Sequence, residues 1–402
     1  MIGEDKDKMG NTIFVETRWH MRILIIHNFY QHPGGEDTVF RQEVEELEKE
    51  HAVETLTFQN KKGWRGALQF LAYPWNIRAI RKIKKSIKSF APDIIHIHNL
   101  YYATGPAIIR TIKKQQIPVV MTLHNFRLLC PSATLFFRGT LYVDSIQKSF
   151  PWKGIRLGVL DHSPVKTFWT ALAHFIHWKL GTWQSVDRFI TLTDFSKQLF
   201  LSSGKKFTPE QFIIKPNFID LSTSGLHTGN YYLFVGRLSS EKGIIPLIES
   251  LKGSDKILKI VGDGPLTGHV RNMIKTCNNI ELLGQKNNQE TMEILSSSKA
   301  LIVPSVCYEG AVPLTIMEGM ATHTPVLASN LGAIPNVIIP NKTGWLFDPY
   351  QSESLLSAIR KFENSDKKDD IVKNAYALYQ EEFTKATVMN QLTDLYHKIV
   401  KT

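Results

Sequence analysis

The sequence predicts an α/β protein built from two doubly wound parallel sheets that face each other across a ligand cleft. Two observations carry that expectation. Short, wholly apolar runs alternate with amphipathic helical patterns, as strands buried on both faces require. The alternation also breaks once near the middle of the chain and then resumes, and 402 residues suffice for two domains with a core each.

Strand patterns in the first series fall at residues 22–27, 52–58, 94–98, 119–123, 189–192 and 213–215. Helical patterns lie between them at 37–50, 76–90, 106–115, 165–182 and 196–202. Residues 138–161 fit neither period and are expected to form an irregular insert. The polar run NFIDLSTSGLHTGN at 217–230 reads as a linker. Strand patterns resume at 231–235, 257–261, 280–283, 300–303, 326–328 and 344–346, and the chain from Asp369 onward reads as helical. The expected organisation is a disordered extension over 1–20, a Rossmann-like domain over 21–218 and a second over 219–385. A final helix over 386–402 would cross back to the first domain. Two such sheets place a ligand where the carboxyl ends of their strands face each other.

Composition narrows the function classes. At 43% hydrophobic and 21% charged the chain is an ordinary globular one. Its cysteines, Cys130, Cys277 and Cys307, form no Cys-x-x-Cys pair, which argues against a disulfide framework and against a zinc site. The first twenty residues lack the apolar core of a signal peptide, and no run approaches the ~20 apolar residues of a membrane span. The expected location is the cytoplasm, with peripheral contact at the inner face of the membrane. That contact is placed at residues 61–90, which hold nine of the basic residues behind the net charge of +11 and no acidic one. Trp64, Phe70, Tyr73 and Trp75 are interleaved with them, a pattern suited to an anionic membrane surface and equally to a basic helix packed by its isoleucines. A second aromatic-rich run at 168–183 would line an acceptor groove or be buried. No nucleic-acid-binding module is recognisable, and no nucleic-acid partner is expected.

Several residues carry candidate chemistry. Gly34 and Gly35 follow the first strand and open a helix, where backbone N–H groups and a positive dipole end suit a pyrophosphate; the same pattern is commonly just a turn. His124 stands at the carboxyl end of its strand, where ligands sit, although a lone histidine is more often structural. In LFVGRLSSEKGI a strand runs into Gly236, and Arg237 and Lys242 offer a fork of donors and a point charge to phosphate oxygens, or are two solvated charges. Gly262 and Gly264 in VGDGP follow another strand but do not complete a dinucleotide fingerprint. Glu309 and Glu318 suit hydroxyl binding, because an ionised carboxylate only accepts, and Gly310, Ala311 and Val312 can present backbone N–H groups where a helix begins. The plainer reading is a loop acid and a helix-surface acid.

Together the motifs GGE at 34–36, TLHN at 122–125, KPN at 215–217, GRLxxEKG at 236–243, VGDGP at 261–265 and EGxxPLTIMEGMA at 309–321 resemble the retaining glycosyltransferases of family 4, with the GT-B fold, from about Met21 to the end. TLHNFRLLCP and HNFY…GGED resemble a bacterial surface-polysaccharide subgroup. The resemblance implies that Arg237 and Lys242 bind a donor pyrophosphate, that Glu318 holds the ribose hydroxyls, and that Glu309 with the following amides contacts the donor sugar. It implies that Gly35 lets the first helix approach the phosphate, that His124 contacts the transferred sugar, and that Asn217 sits near the interdomain crossing. The partners implied are a nucleotide-sugar and a glycan or lipid-linked acceptor.

The sequence departs from the family at three places. The eight residues 310–317 between Glu309 and Glu318 exceed the family's usual spacing by one. His323 replaces a usual glycine, and LYVDSI at 141–146 lacks the subgroup's further cysteines. No nucleophile is placed for a double displacement, so a same-face displacement assisted by the leaving diphosphate is expected. No metal or cofactor is expected either, since the only Asp-x-Asp is Asp5/Asp7 in the extension. Another GT-B enzyme, such as a sugar-nucleotide epimerase or an inverting transferase, and a nucleotide-sugar binder without turnover are the alternatives.

Overall fold

The computed structural model describes residues 3–6, 12–15, 21–31, 34–221 and 229–401. Two compact units are present, Met1–Val120 with Ile399–Thr402, and Met121–Lys398. Within the first twenty residues, Gly3–Lys6 pairs antiparallel with Thr12–Val15. The remainder of that expected extension, and 222–228 of the expected linker, lie outside the described residues.

The first six-stranded sheet comprises β1 (Arg22–Phe29), β2 (Ala52–Gln59), β3 (Ile94–Ile97), β4 (Val119–Leu123), β5 (Arg188–Thr191) and β6 (Phe212–Ile214). Their order is β2-β1-β3-β4-β5-β6. The pairs β1–β2, β1–β3 and β5–β6 are parallel. Ile23, Leu24, Ile25 and Ile26 are all fully buried, so both faces of β1 are covered, as its unbroken apolar run required. The first helices are α1 (Gly35–Leu47), α2 (Gly63–Leu71) and α3 (Ile77–Phe90), followed by α4 (Pro164–Lys179) and α5 (Asp194–Leu201).

The second sheet comprises β7 (Tyr231–Val235), β8 (Ile257–Val261), β9 (Ile280–Gly284), β10 (Ala300–Val303), β11 (Val326–Ser329) and β12 (Trp345–Phe347), in the order β9-β8-β7-β10-β11-β12 and parallel throughout. Successive residues of each strand feed opposite layers, because side chains alternate across a sheet. Leu233, Leu301, Val303 and Ala328 pack with Ile316, Met317 and Met320 of α7 (Leu314–Ala321). Tyr232, Phe234, Ile302 and Leu327 face the other way, onto Leu247, Ile248 and Leu251 of α6 (Ile244–Leu251) and Ile359 and Phe362 of α8 (Ser352–Glu363). The chain ends in α9 (Lys368–Glu382) and α10 (Lys385–Val400).

Two readings need correction. Residues 138–161 are not wholly irregular, since Phe136–Phe137 pairs with Thr140–Leu141 and Trp152–Leu157 is a helical turn. The helix α2 was not foreseen. Glycine and glutamine dilute its pattern, and only tertiary packing fixes it. The aromatic run at 168–183 is largely interior: Thr170, Ala173, His174 and His177 of α4 and the following Trp183 are buried. No described helix is long and apolar enough to cross a membrane.

Glycine is obligatory where β7 and β8 deliver their loops. Gly262 has φ +136°, and a Cβ there would lie 1.9 Å from the Gly236 carbonyl oxygen. A Gly262→Ala variant should therefore lose about 3 kcal/mol or more. Thermal unfolding measures it, and an unchanged midpoint would contradict the packing described. A second test concerns Glu363, which accepts from Lys256, Lys299 and Tyr232. Burial pushes its carboxyl up, but those bonds outweigh burial and hold it down at about 2. A depressed acid contributes stability above its unfolded value that is lost as pH falls through the folded one. Glu363→Gln should thus destabilise the protein near neutrality and flatten the loss of stability between about pH 4.5 and about pH 2. Parallel acid-unfolding curves for variant and wild type would refute this.

Candidate functional site

The second sheet reverses its strand order between β7 and β10, which are neighbours although 64 residues of sequence separate the end of one from the start of the other. Chains leaving such a pair diverge and leave a crevice outside their carboxyl ends. Three contacts tie the two departing loops together. The Val306 N–H donates to the Glu241 carbonyl at 3.0 Å. Gly243, at φ +70°, passes so close to Pro304 that a Cβ would sit 1.8 Å from its carbonyl oxygen. Lys242 Nζ donates to Glu309 Oε1 at 2.6 Å, and Ser305 Oγ donates to the same oxygen at 2.8 Å.

Burial pulls the Lys242 ammonium down, but the Glu309 carboxylate outweighs it and holds the lysine above its ordinary value. Lys242 is therefore charged at neutral pH. Its side chain keeps about a third of its surface exposed. Arg237 is exposed and pairs with no carboxylate among the described residues. Glu318, on α7, is half-buried, accepts from no described donor, and is pushed up to about 7 by burial alone. The backbone N–H groups of Gly310, Ala311 and Val312 likewise donate to no described acceptor.

The loop carrying Glu309 is seated on two further segments. A Cβ on Gly310 would lie 2.9 Å from the His124 carbonyl oxygen, so only glycine permits this approach. Ser196 Oγ on α5 donates to the Gly310 carbonyl at 2.8 Å, and the rings of Tyr308 and Phe195 meet edge to face at 5.0 Å. The His124 backbone is thereby brought beside the Glu309 loop. The extra residue between Glu309 and Glu318 lies in this seated stretch, with Val312 turned into the core. Asn217 is buried, and its Oδ1 has no hydrogen-bond partner.

Gly262 and Gly264 serve packing first. Both run against carbonyls of the β7 loop, those of Gly236 and Leu238. Gly34 and Gly35 lie in the other unit and show the opposite condition, since a Cβ at either would meet nothing within 4 Å. Sequence reasoning missed what fixes that turn. Asp37 accepts from the Gly34 N–H at 3.0 Å and pairs with His27 Nε2 at 2.8 Å, while burial pulls the His27 imidazole down to about 4. It also missed the one metal-type group among the described residues, Glu43, His96 and His98, all buried, with candidate ligand atoms within 4.8 Å of one another. Each of the three also has other partners, and they form a packed acid–imidazole cluster. Alternating histidines within a strand were its only sequence signal. A cavity of about 460 Å³ lined by Ser240, Pro304, Val306 and Tyr350 touches none of the predicted site residues.

Known proteins resemble the chain in sequence and in fold. Residues 33–223 match the family described as Glycosyltransferase Family 4, and residues 222–378 match Glycosyl transferases group 1. The uncharacterized glycosyltransferase MJ1178 of Methanocaldococcus jannaschii is 32% identical over 139 residues, 34% of this chain and 39% of that protein. D-rhamnosyltransferase WbpZ of Pseudomonas aeruginosa is 28% identical over 158 residues, 38% of this chain and 42% of its own length. The chain thus spans about two-fifths of these relatives. TuaC of Bacillus subtilis, which bears the name of a teichuronic acid biosynthesis glycosyltransferase, is 25% identical over 81% of this chain and 75% of its own. Among solved structures, Anabaena Alr3699/HepE in complex with UDP and glucose superposes with a TM-score of 0.65 at 17% identity, over 94% of this chain and all of that one. Sucrose-phosphate synthase from Thermosynechococcus elongatus superposes at 0.70 with 16% identity, over 95% of this chain and all of its own. The chain is a GT-B-fold protein in which a glycosyltransferase family 4 domain precedes a glycosyl transferases group 1 domain.

Proposed function

We propose that the chain transfers a sugar from a nucleotide-sugar donor to a glycan or lipid-linked acceptor, with retention at the anomeric carbon, in cell-surface polysaccharide synthesis. The observation that carries this reading is the Lys242–Glu309 pair across the crevice where the strand order reverses. The relatives' names supply the polysaccharide context, and the UDP complex of a GT-B neighbour supports a nucleotide donor.

In this reading Arg237 and Lys242 take the diphosphate, and the open amides of 310–312 with Glu309 take the donor sugar. Glu318 accepts from the ribose hydroxyls, and His124 meets the transferred sugar. Gly236 and Gly264 keep the loops low enough for the nucleotide, and Asn217 offers its unpartnered oxygen to the donor; in the other unit, the Gly34–Gly35 turn carries no side chain that would keep a phosphate off. The bond between the anomeric carbon and the diphosphate oxygen breaks, and its electron pair leaves with the diphosphate. The acceptor oxygen attacks the same face, and its proton passes to the departing diphosphate. Glu309 is committed to Lys242 and Ser305, and the Cys307 thiol is held protonated by burial and by Glu309, so neither is an attacking group. Charge developing on the leaving group is met by fixed cations, and the scheme uses no metal.

A thermal-shift screen against UDP-, GDP- and ADP-sugars tests the reading first. A true donor at about a hundred times its dissociation constant adds about 2.7 kcal/mol of stability, and a protein that ignores every sugar nucleotide sinks the proposal. Arg237→Ala should cut turnover by about 10²–10³-fold while leaving the melting midpoint unchanged, because the side chain is exposed and pairs with no described carboxylate. Wild-type turnover in that variant removes Arg237 from the site. Lys242→Ala should lose as much turnover and some stability, since it also strands Glu309.

Glu318 yields a pH prediction. Burial weakens it as an acid, so the ligand-free fold favours the protonated form, whereas ribose hydroxyls favour the carboxylate. Donor affinity should therefore rise from about pH 6 to about pH 8, and Glu318→Gln should flatten the profile. In the absence of donor, Glu318 contributes stability below its unfolded value that is lost as pH rises through about 7, so Glu318→Gln should melt higher than wild type at alkaline pH. A variant melting lower there would contradict the assignment.

A further inference from the structure

Helix α2 is built inside out. Its inward side holds Gly66, Gln69 and Phe70. A Cβ on Gly66 would strike the Lys61 carbonyl oxygen at 2.1 Å, Gln69 bonds the backbone of Gln59 and Lys61, and Phe70 meets the ring of Tyr102 at 5.5 Å. Trp64, Leu68 and Leu71, spaced to share one helical face, point outward with 70%, 57% and 59% of their surface exposed. The chain continues through Trp75 and Ile77, also exposed, into α3. Tyr73, between Leu71 and Trp75, is buried, and Asn76 caps α3 while donating to the Ala103 carbonyl at 2.6 Å, so this apolar ridge is firmly mounted.

The ridge lies within the only strongly one-signed stretch of the sequence. Lys61, Lys62, Arg65, Arg78, Arg81, Lys82, Lys84, Lys85 and Lys88 are all exposed, and none pairs with a carboxylate among the described residues. On α3, Ala79 and Ile83 are buried, which leaves the cations on the solvent side of an otherwise ordinary amphipathic helix. Cations alone would suit any polyanion, and apolar side chains alone would suit a protein groove. Exposed tryptophan and leucine flanked by unpaired lysine and arginine match a surface that is apolar below and anionic above.

We propose that Trp64, Leu68 and Leu71 of α2 insert into the headgroup boundary of an anionic bilayer, with the cations of 61–65 and of α3 lying on its lipid phosphates. The inference does not depend on the sugar-transfer reading, and its test uses the whole chain without donor or acceptor. The protein is sedimented with phosphatidylcholine vesicles with or without about 30 mol% phosphatidylglycerol, at low and high salt. Binding is expected only to the anionic vesicles, and to weaken with salt. The combined variant Trp64→Ser, Leu68→Ser and Leu71→Ser should bind at least about tenfold more weakly, and each of Lys62→Gln, Arg65→Gln and Lys85→Gln should cost about fivefold. These side chains are exposed, so melting midpoints should stay at the wild-type value, as should turnover in free solution. No wild-type association at low salt would overturn the proposal, as would an apolar variant that binds like wild type. Preferential capture by single-stranded nucleic acid, or self-association through this face in place of vesicle binding, would overturn it as well.

Discussion

The salt bridge between Lys242 and Glu309 is the contact on which the site depends. The two residues leave neighbouring strands, β7 and β10, at the place where a doubly wound sheet changes direction. Two loops departing in opposite directions have no reason of their own to stay close. They are held by one charge pair, one backbone hydrogen bond and one glycine that lets a carbonyl approach. The pair is partly shielded from water, where opposite charges attract more strongly and where losing one partner leaves the other stranded. The glycines of β8's loop extend the arrangement, because Gly262 and Gly264 rest on carbonyls of the β7 loop and fix its height.

The neighbouring groups show the opposite condition. Arg237 and Glu318 have no described partner, and the amides of 310–312 donate to no described acceptor. Unpaired polar groups near a crevice weaken the fold, and half-burial of Glu318 without a donor is why its carboxyl sits near 7. Such groups are tolerated where a ligand satisfies them, which is the usual conflict between stability and function. Cys307 stands next to this region and is unlike them. Buried and kept protonated, it behaves as a small apolar side chain.

The sheets were readable because their central strands, such as β1, β3, β4, β10 and β11, are buried on both faces and so lack polar interruption. β7, β8 and β10 fall on the residues where their apolar runs lie. His323 was readable too. It has φ +58° just past α7, the left-handed position glycine fills most easily, and it is compensated by stacking on Tyr376 at 4.0 Å. The salt bridge was not readable. Arg237 and Lys242 drew attention as phosphate ligands and Glu309 as a sugar ligand, and no local pattern joins two residues 67 positions apart. The His27–Asp37 bond escaped for the same reason, since each residue looks ordinary until the Gly34 turn brings the helix back over the strand.

Helix α2 exposes a deeper limit of periodicity. Apolar residues spaced by four and three positions define a face, and the usual inference is that the face is turned inward. Here the inward direction is chosen by Gly66, because only that side of the helix approaches the Lys61 carbonyl without collision, and by Phe70 seated between Tyr101 and Tyr102. With one side fixed, Trp64, Leu68 and Leu71 have no direction left but outward. An alanine in place of Gly66 would strike that carbonyl at 2.1 Å. The exposed ridge therefore follows from the close backbone and ring contacts on the opposite side of the helix, and exposed cations of one sign surround it.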